Sequence, residues 1–301
     1  MYSNHIKIFN ELSKIYEKLG DDIRATAYHL LAKKLELFQL YKKKDKKLQL
    51  TGITEKSQKK INEISKTGKL TLLENIKSNK EIRDKLKLIE IIGIGPSLAD
   101  KLVKSGIRNF KDFKDKYTGK KTQLQQLGVK YYGKIRKPKL DTFYQIVKIL
   151  CNQVSGVVDI AVAGSYRTGN PKPSDIDLIV CSKDGNIKNT LETLTRLGVL
   201  VDYVNSGKED IFGIIKLSNK FYKIDIKVTI PKYFASYLLY FGSGKYFSKY
   251  IRGTAKGMGY KLNQYGITLK DGNLKTFRSE RAIFNFLKIP YLTPQERVLY
   301  Y

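Results

Sequence analysis

The 301-residue sequence predicts an α+β chain of several domains, with a basic helical half followed by a half built around a sheet. Apolar residues recur at helical spacing from Ile6 to about Lys87, whereas beyond Pro138 they gather into short β-branched runs bounded by Gly, Asn, Lys and Asp. With 42% hydrophobic residues, the chain can bury a substantial core.

In IFNELSKIYEKL, Ile8, Leu12, Ile15 and Leu19 form the expected helical stripe. YKKKDKKLQL, from Tyr41 to Leu50, interrupts that spacing and reads as a charged loop. Two similar units follow, LTGITEKSQKKINEISKTGKL from Leu50 and IEIIGIGPSLADKLVKSGI from Ile89. Each places a Gly turn ahead of a helix and closes on another Gly, with a repeat of about forty residues. The expected strands are VVDIAVAG, DIDLIV, IFGIIKL and FYKIDIKVTI, with helices at 139–154 and 187–197. A segment rich in Gly, Tyr and Lys runs from Phe234 to Tyr301 and contains a helical pattern in SERAIFNFLKI.

A net charge of +29 calls for a polyanionic partner, nucleic acid ahead of an acidic membrane surface. Cys151 and Cys181 form no CxxC pair, so neither a disulfide framework nor a zinc ribbon is expected. With only His5 and His29, histidine-rich metal sites and a Ser-His-Asp triad are disfavoured. The chemistry must therefore rest on carboxylates and lysines. No apolar run has the length of a membrane span, and MYSNHIKIFN lacks the apolar core of a signal peptide. A soluble, intracellular protein is expected, with nucleus, cytoplasm and viral factory left open.

The most informative stretch is AVAGSYRTGNPKPSDIDLIV, residues 161–180. Side chains alternate faces along a strand, so Asp175 and Asp177 project together. In FYKIDIKVTI the apolar Ile224, Ile226, Val228 and Ile230 share one face and leave Asp225 on the other. If these strands pair, three carboxylates meet and demand a cation, and Mg²⁺ suits an all-oxygen ligand set. Two such ions about 4 Å apart could serve an in-line phosphoryl transfer. Upstream, Gly164 and Ser165 end a strand where backbone N–H groups and a hydroxyl can hold phosphate oxygens.

A Gly-Ser pair before a DxD, with a third Asp on a later strand, resembles the signature of the polymerase-beta nucleotidyltransferases. The likeness extends along the chain: IIGIGPSLADKLVKSGIRNFKDFK is similar to the helix-hairpin-helix of family X DNA polymerases, and LGVKYYG to the segment after it. YFGSGKYFSKYIR with GYKLNQYGI resembles their nucleotide-selection subdomain, and IFNFLKIPYLTPQER the family's ending. The resemblance, to the polymerase beta type with its N-terminal lyase domain, implies a helical helix-hairpin-helix half, a mixed-sheet nucleotidyltransferase palm and a small α+β C-terminal subdomain. The implied domains are a lyase-like, 5′-phosphate-binding domain at 1–80, a DNA-binding subdomain at 81–138, the palm at 139–233 and nucleotide selection at 234–301.

By the same resemblance, Asp175, Asp177 and Asp225 bind two Mg²⁺ or Mn²⁺ ions, with Asp225 placed to help deprotonate a primer 3′ hydroxyl. Gly164, Ser165 and Arg167 hold the triphosphate, and Tyr240, Phe241, Lys245, Ser248 and Arg252 surround the incoming nucleotide. Lys60 is the implied Schiff-base lysine, with Lys56, Lys59 and Lys69 as neighbouring cations. Lys56, Lys69, Gly93, Gly95, Lys249 and Tyr265 contact DNA, and Na⁺ or K⁺ sits at the hairpin of Gly93 and Gly95. A Cβ at either glycine is expected to obstruct a DNA phosphate.

Four departures stand out: GIT in the first hairpin where a second Gly is usual, Ile23 where the lyase has a tyrosine, Thr168 where the family often has a phosphate-binding Arg, and YFGSG in place of an aromatic-Thr-Gly-Ser order. Arg167, Lys172 or the Arg136-Lys137 pair are the expected substitutes for the missing Arg. The implied activity is a monomeric, template-directed, gap-filling repair polymerase acting on gapped or nicked DNA with dNTPs, with 5′-deoxyribose-phosphate lyase activity and no proofreading. Its protein partners stay open. The alternatives are a template-independent terminal or RNA-tailing transferase, disfavoured by the short Ser218–Lys220 connection, and a non-catalytic nick-binding scaffold, disfavoured by the intact carboxylates.

Overall fold

The computed structural model describes residues 2–42, 50–205, 207 and 209–300; most of the charged loop expected at 41–50 lies outside the described residues. The chain forms two compact units, divided between Tyr132 and Gly133. No helix among the described residues is long and apolar enough to cross a membrane.

The first unit is helical: α1 (Ser3–Lys18), α2 (Asp22–Lys42), α3 (Glu55–Thr67), α4 (Thr71–Ser78), α5 (Lys80–Ile89), α6 (Pro96–Lys104), α7 (Phe110–Lys116) and α8 (Gln123–Tyr131). In its first core Phe9, Leu12 and Tyr16 pack with Ala32, Leu35, Ile61 and Ile64. The buried stripe of α1 therefore runs through Phe9 and Tyr16, and Ile15 and Leu19 lie at its partly exposed margin. Aromatic bulk decides which of two overlapping stripes faces inward. A second core gathers Leu88, Ile91, Ile94, Ala99, Leu102 and Phe113.

Both Gly-turn units are present, and each closes on a left-handed glycine, Gly68 at φ 71 and Gly106 at φ 86. Thr54 stands where the second unit has Gly95, and its hydroxyl accepts the Ser57 N–H, capping α3. The departure at GIT is thus a helix cap. Gly93 has φ 84, and a Cβ there would lie 2.7 Å from the Gln125 backbone nitrogen. Its glycine is required by the close approach of α8, a packing reason that stands beside the expected DNA phosphate. Gly95 is different: a Cβ there would meet nothing within 4 Å.

The second unit comprises α9 (Leu140–Gln153), β1 (Val157–Val162), α10 (Gly164–Arg167), β2 (Ile176–Ser182), α11 (Ile187–Arg196), β3 (Leu200–Asn205), β4 (Asp210–Leu217), β5 (Lys220–Thr229), α12 (Pro231–Phe241), α13 (Lys245–Gly257), β6 (Lys261–Asn263), β7 (Gly266–Thr268), β8 (Leu274–Lys275), α14 (Glu280–Phe286) and α15 (Pro294–Tyr300). Strands β1 to β5 form a mixed sheet in the order β1-β2-β5-β4-β3, and β6 to β8 form a small second sheet. Only β2 and β5 pair in parallel in the larger sheet. Strand β3 is absent from the sequence expectation because it is an edge strand, and its Asp202 and Asn205 break the apolar run.

One face of the large sheet packs Ile176, Leu178, Val180, Ile224, Ile226 and Val228 against Ile146 and Leu150 of α9 and Leu194 of α11. At the opposite face Ile179 packs with Ala163 and with Tyr237 of α12. The alternation that buries the isoleucines sends the intervening aspartates toward this second face. Strands β4 and β5 turn through Ser218 and Asn219, both left-handed at φ 46 and 60, as a two-residue hairpin requires.

Gly93→Ala should lower the unfolding free energy by about 1–3 kcal/mol through backbone strain and the clash with α8. Gly95→Ala should leave stability within about 0.5 kcal/mol of the unmodified protein. Chemical denaturation of the two variants checks the contrast.

Candidate active site

The site is built on the parallel register of β2 and β5, which sets Asp177 directly beside Asp225. Asp175 immediately precedes β2 and accepts a hydrogen bond from Ser174 Oγ at 2.9 Å, and Lys223 Nζ lies 3.5 Å from it. Lys227 Nζ lies 3.0 Å from Asp225 Oδ1 and 3.2 Å from Asp210 Oδ1. The approach to Asp225 is off the angle of a hydrogen bond, so this buried oxygen has charge nearby but no donor. Asp177 makes no ion pair or side-chain hydrogen bond among the described residues.

Electrostatics follow from that placement. Burial, reinforced by the charges of Asp175 and Asp225, pushes the Asp177 carboxyl up to about 7. Burial also raises Asp225, against the pull of Lys227. Burial opposes the charge on Lys227, yet Asp225 and Asp210 together raise its pKa.

At the end of β1 the Ala163 N–H donates to the Asp177 carbonyl, and Gly164 then turns the chain at φ 56. A Cβ on Gly164 would collide with the Asp177 carboxylate, so only glycine lets the turn close over it. Ser165 follows in α10, and its hydroxyl lies 3.4 Å from Asn170 Nδ2. Thr168, at the expected Arg position, donates to the Ser165 carbonyl and completes the same turn. Arg136 and Lys137 are exposed beside the start of β5, where the Arg136 N–H donates to the Phe221 carbonyl.

No group of three His, Cys, Asp or Glu side chains stands closed into a metal cage among the described residues. The donor set nevertheless fits a divalent cation. Asp177 is half-buried without a partner, Asp225 Oδ1 is buried without a donor, and both are hard oxygen ligands.

Arg167 is corrected from its expected place at a triphosphate. Its guanidinium forms a two-point pair with Glu280, 2.6 Å at the shorter contact, and also donates to the Leu238 and Gly242 carbonyls. Arg297, fully buried, donates to Glu280 at 2.7 Å and to Ser243 Oγ at 2.9 Å. Burial would raise the Glu280 carboxyl, but the two guanidiniums outweigh it and hold it below the usual range. The unusual YFGSG order belongs to this network. A Cβ at Gly242 would lie 2.7 Å from Arg167 Cδ, and the buried Ser243 hydroxyl accepts from Arg297.

Lys245, Ser248, Lys249 and Arg252 recur at helical spacing along one side of α13, next to the buried stripe of Phe247, Ile251 and Ala255. Tyr240, Ser248 and Arg252 line a small pocket with Asn263, a residue the sequence reading did not single out. Phe241 is not among its lining residues, and Lys227 Nζ lies 5.4 Å from the Phe241 ring centre. Tyr265 is expected at DNA, but its phenol donates to Glu209 Oε2 at 2.8 Å, and Tyr237 donates to the same oxygen at 2.5 Å.

In the first unit Lys60 is half-buried on α3, 5.8 Å from the Tyr28 ring centre. Lys56 and Lys69 are exposed, and Lys59 is paired with Glu55 rather than turned to Lys60. Tyr28 is raised to about 12 by burial, and Ile23 is 85% exposed.

Three family models match the chain in order: the fingers domain of DNA polymerase lambda over residues 87–136, the DNA polymerase beta palm over 134–231 and the DNA polymerase beta thumb over 237–298. The chain belongs to family X of the DNA polymerases. It is 27% identical to DNA polymerase lambda of Arabidopsis thaliana, covering 98% of this chain and 62% of the relative. It is 25% identical to DNA polymerase lambda of Rattus norvegicus over 98% of this chain and 56% of that protein. It is also 24% identical to the DNA polymerase/3'-5' exonuclease PolX of Bacillus subtilis (strain 168), over 97% of this chain and 54% of the relative. The family X chain thus spans between half and two thirds of the length of these relatives.

Two outcomes follow for the isolated protein. Glu280→Ala should destabilise it by about 3–5 kcal/mol, because two guanidiniums lose their counter-charge. For the second, Asp177 keeps its proton in the fold while the unfolded chain ionises, so its stability contribution is full below about pH 4 and is lost as pH rises toward 7. In metal-free buffer Asp177→Asn should therefore exceed the unmodified protein in stability at pH 8, by at most about 4 kcal/mol, and match it at pH 4. Thermal melts across pH check the sign.

Proposed function

We propose that the chain is a template-directed, gap-filling DNA polymerase that extends a primer 3′ hydroxyl with dNTPs, and that it works as a monomer on gapped or nicked DNA. The observation that carries this reading is the three-aspartate face, with Asp177 beside Asp225 under the Gly164 turn. The divalent ions that Asp175, Asp177 and Asp225 would hold, Mg²⁺ or Mn²⁺, supply counter-charge for the transferring phosphoryl group and lower the pKa of the attacking hydroxyl. Asp225, one oxygen of which is buried without a hydrogen-bond donor, would be the carboxylate that helps remove the primer proton.

The triphosphate would be held by the Gly164–Ser165 turn, and the exposed Arg136, Lys137 and Lys172 take the place of the absent family Arg. Arg167 would act through Glu280, fixing that turn. Tyr240, Ser248 and Arg252 would line the nascent base pair, with Lys245 and Lys249 on the same helix approaching DNA. We assign residues 1–80 to 5′-phosphate binding, 81–138 to DNA binding, 139–233 to the palm and 234–301 to nucleotide selection. The open space at Gly95 suits a DNA phosphate, and the carbonyls around Gly93 and Gly95 suit Na⁺ or K⁺. Lys60 would form the Schiff base of a lyase reaction, next to Tyr28 rather than next to a tyrosine at position 23. The two-residue β4–β5 turn supports templated synthesis over a terminal transferase, since it leaves the template's path open.

Gap filling and lyase chemistry should fail independently. Asp225→Ala should reduce incorporation at a one-nucleotide gap by about 10³-fold while keeping DNA affinity. Lys60→Ala should abolish most borohydride trapping on a 5′-deoxyribose-phosphate substrate while keeping gap filling. Near-normal incorporation in Asp225→Ala would overturn the site assignment, and undiminished trapping in Lys60→Ala would overturn the choice of nucleophile.

A further inference from the structure

The sequence GKED, residues 207–210, places two acids at the start of β4, and the sequence reading assigns them no role. Asp210 is the cross-strand partner of Lys227 in the antiparallel β4–β5 pair, and Lys227 stands two residues beyond Asp225 on the same face of β5. The lysine is shared, 3.2 Å from Asp210 and 3.0 Å from Asp225, with its side chain 17% exposed.

Resting on the reading of Asp225 as a metal ligand, we propose that Asp210 is a positioning residue that takes Lys227 over from Asp225 when a divalent cation binds. An ammonium 3.0 Å from a carboxylate occupies the space and charge that a cation needs there. Two positive charges a few ångströms apart repel strongly in a partly buried site, so the lysine must leave or the cation binds weakly. A half-buried lysine cannot leave without another acceptor. Asp210 supplies one on the neighbouring strand, within a side-chain rotation of the present position.

The acceptor is also held in place. The preceding residue, Glu209, receives both the Tyr237 and Tyr265 phenols on one carboxylate oxygen, and its carbonyl accepts the Val228 N–H at 2.8 Å. The backbone bearing Asp210 is thereby pinned to β5 and to α12, so that Lys227 moves toward Asp210 and not the reverse. Phe241, 5.4 Å from the ammonium, covers the exchange from the other side.

The test is a double-mutant cycle read by Mn²⁺ binding to the DNA-free protein, through the electron paramagnetic resonance signal of free Mn²⁺. Asp210→Asn should weaken Mn²⁺ about 5- to 20-fold, Lys227→Met should bind at least as tightly as the unmodified protein, and adding Asp210→Asn to Lys227→Met should change affinity less than 2-fold. Circular dichroism at the binding temperature confirms folded protein, and Asp210→Glu should restore most of the lost affinity. Equal affinity in Asp210→Asn and the unmodified protein would overturn the proposal, as would the same loss with Lys227 present or absent, which would make Asp210 only a distant negative charge. Failure of the unmodified protein to bind Mn²⁺ at all would overturn the three-aspartate reading itself, and the inference with it.

Discussion

Two aspartates held side by side on parallel strands, with too little positive charge between them, are the constraint around which the second unit is arranged. Asp177 and Asp225 share a register position because β2 and β5 bury their isoleucines, leucine and valines on the other face, and strand geometry leaves the carboxylates no alternative direction. Two lysines on β5 neutralise part of this charge from its margins. Asp177 receives no direct partner, and burial with the charges of Asp175 and Asp225 pushes its carboxyl up to about 7. A fold that carries such a site gives up stability at physiological pH, which is a frequent property of sites prepared for a charged ligand.

The cost is offset by rigid surroundings. Gly164 closes over Asp177 where any Cβ would collide with it, and the helix it begins is fixed by Arg167 to Glu280. Glu280 in turn holds Arg297 and, through Ser243, the start of α13. This network ties the turn beside the carboxylates to the C-terminal helices that also support the Tyr240–Arg252 pocket. A buried pair is a weak source of net stability but a source of defined geometry here, because Glu280 is bonded to both guanidiniums at once.

The carboxylate face was legible because its pattern is short in range: alternation places Asp175 with Asp177, and the apolar stripe of FYKIDIKVTI singles out Asp225. The Gly-Ser turn and the two hairpin units were legible for the same reason, since turns are encoded by a few adjacent residues. Arg167 was misplaced because its true partner, Glu280, is more than a hundred positions away, and nothing local distinguishes a structural guanidinium from one that awaits phosphate. Gly93 was singled out in the sequence, but the packing of α8 that requires a glycine there was not visible in it. Strand β3 was hidden by edge polarity, and Asp210, Glu209 and Asn263 by the lack of any local signal. Their roles arise from cross-strand and interhelical neighbours.

The central claim is that the aspartate face is incomplete without a divalent cation and that burial of Asp177 makes its binding depend on pH. The most direct measurement is the thermal midpoint of the unmodified protein as MgCl₂ is added at pH 8 and again at pH 5, with NaCl matched for ionic strength. The account predicts a saturable rise at pH 8 that is largely lost at pH 5, where Asp177 holds a proton. No rise at pH 8, or an equal rise in a protein carrying both Asp177→Asn and Asp225→Asn, would contradict it.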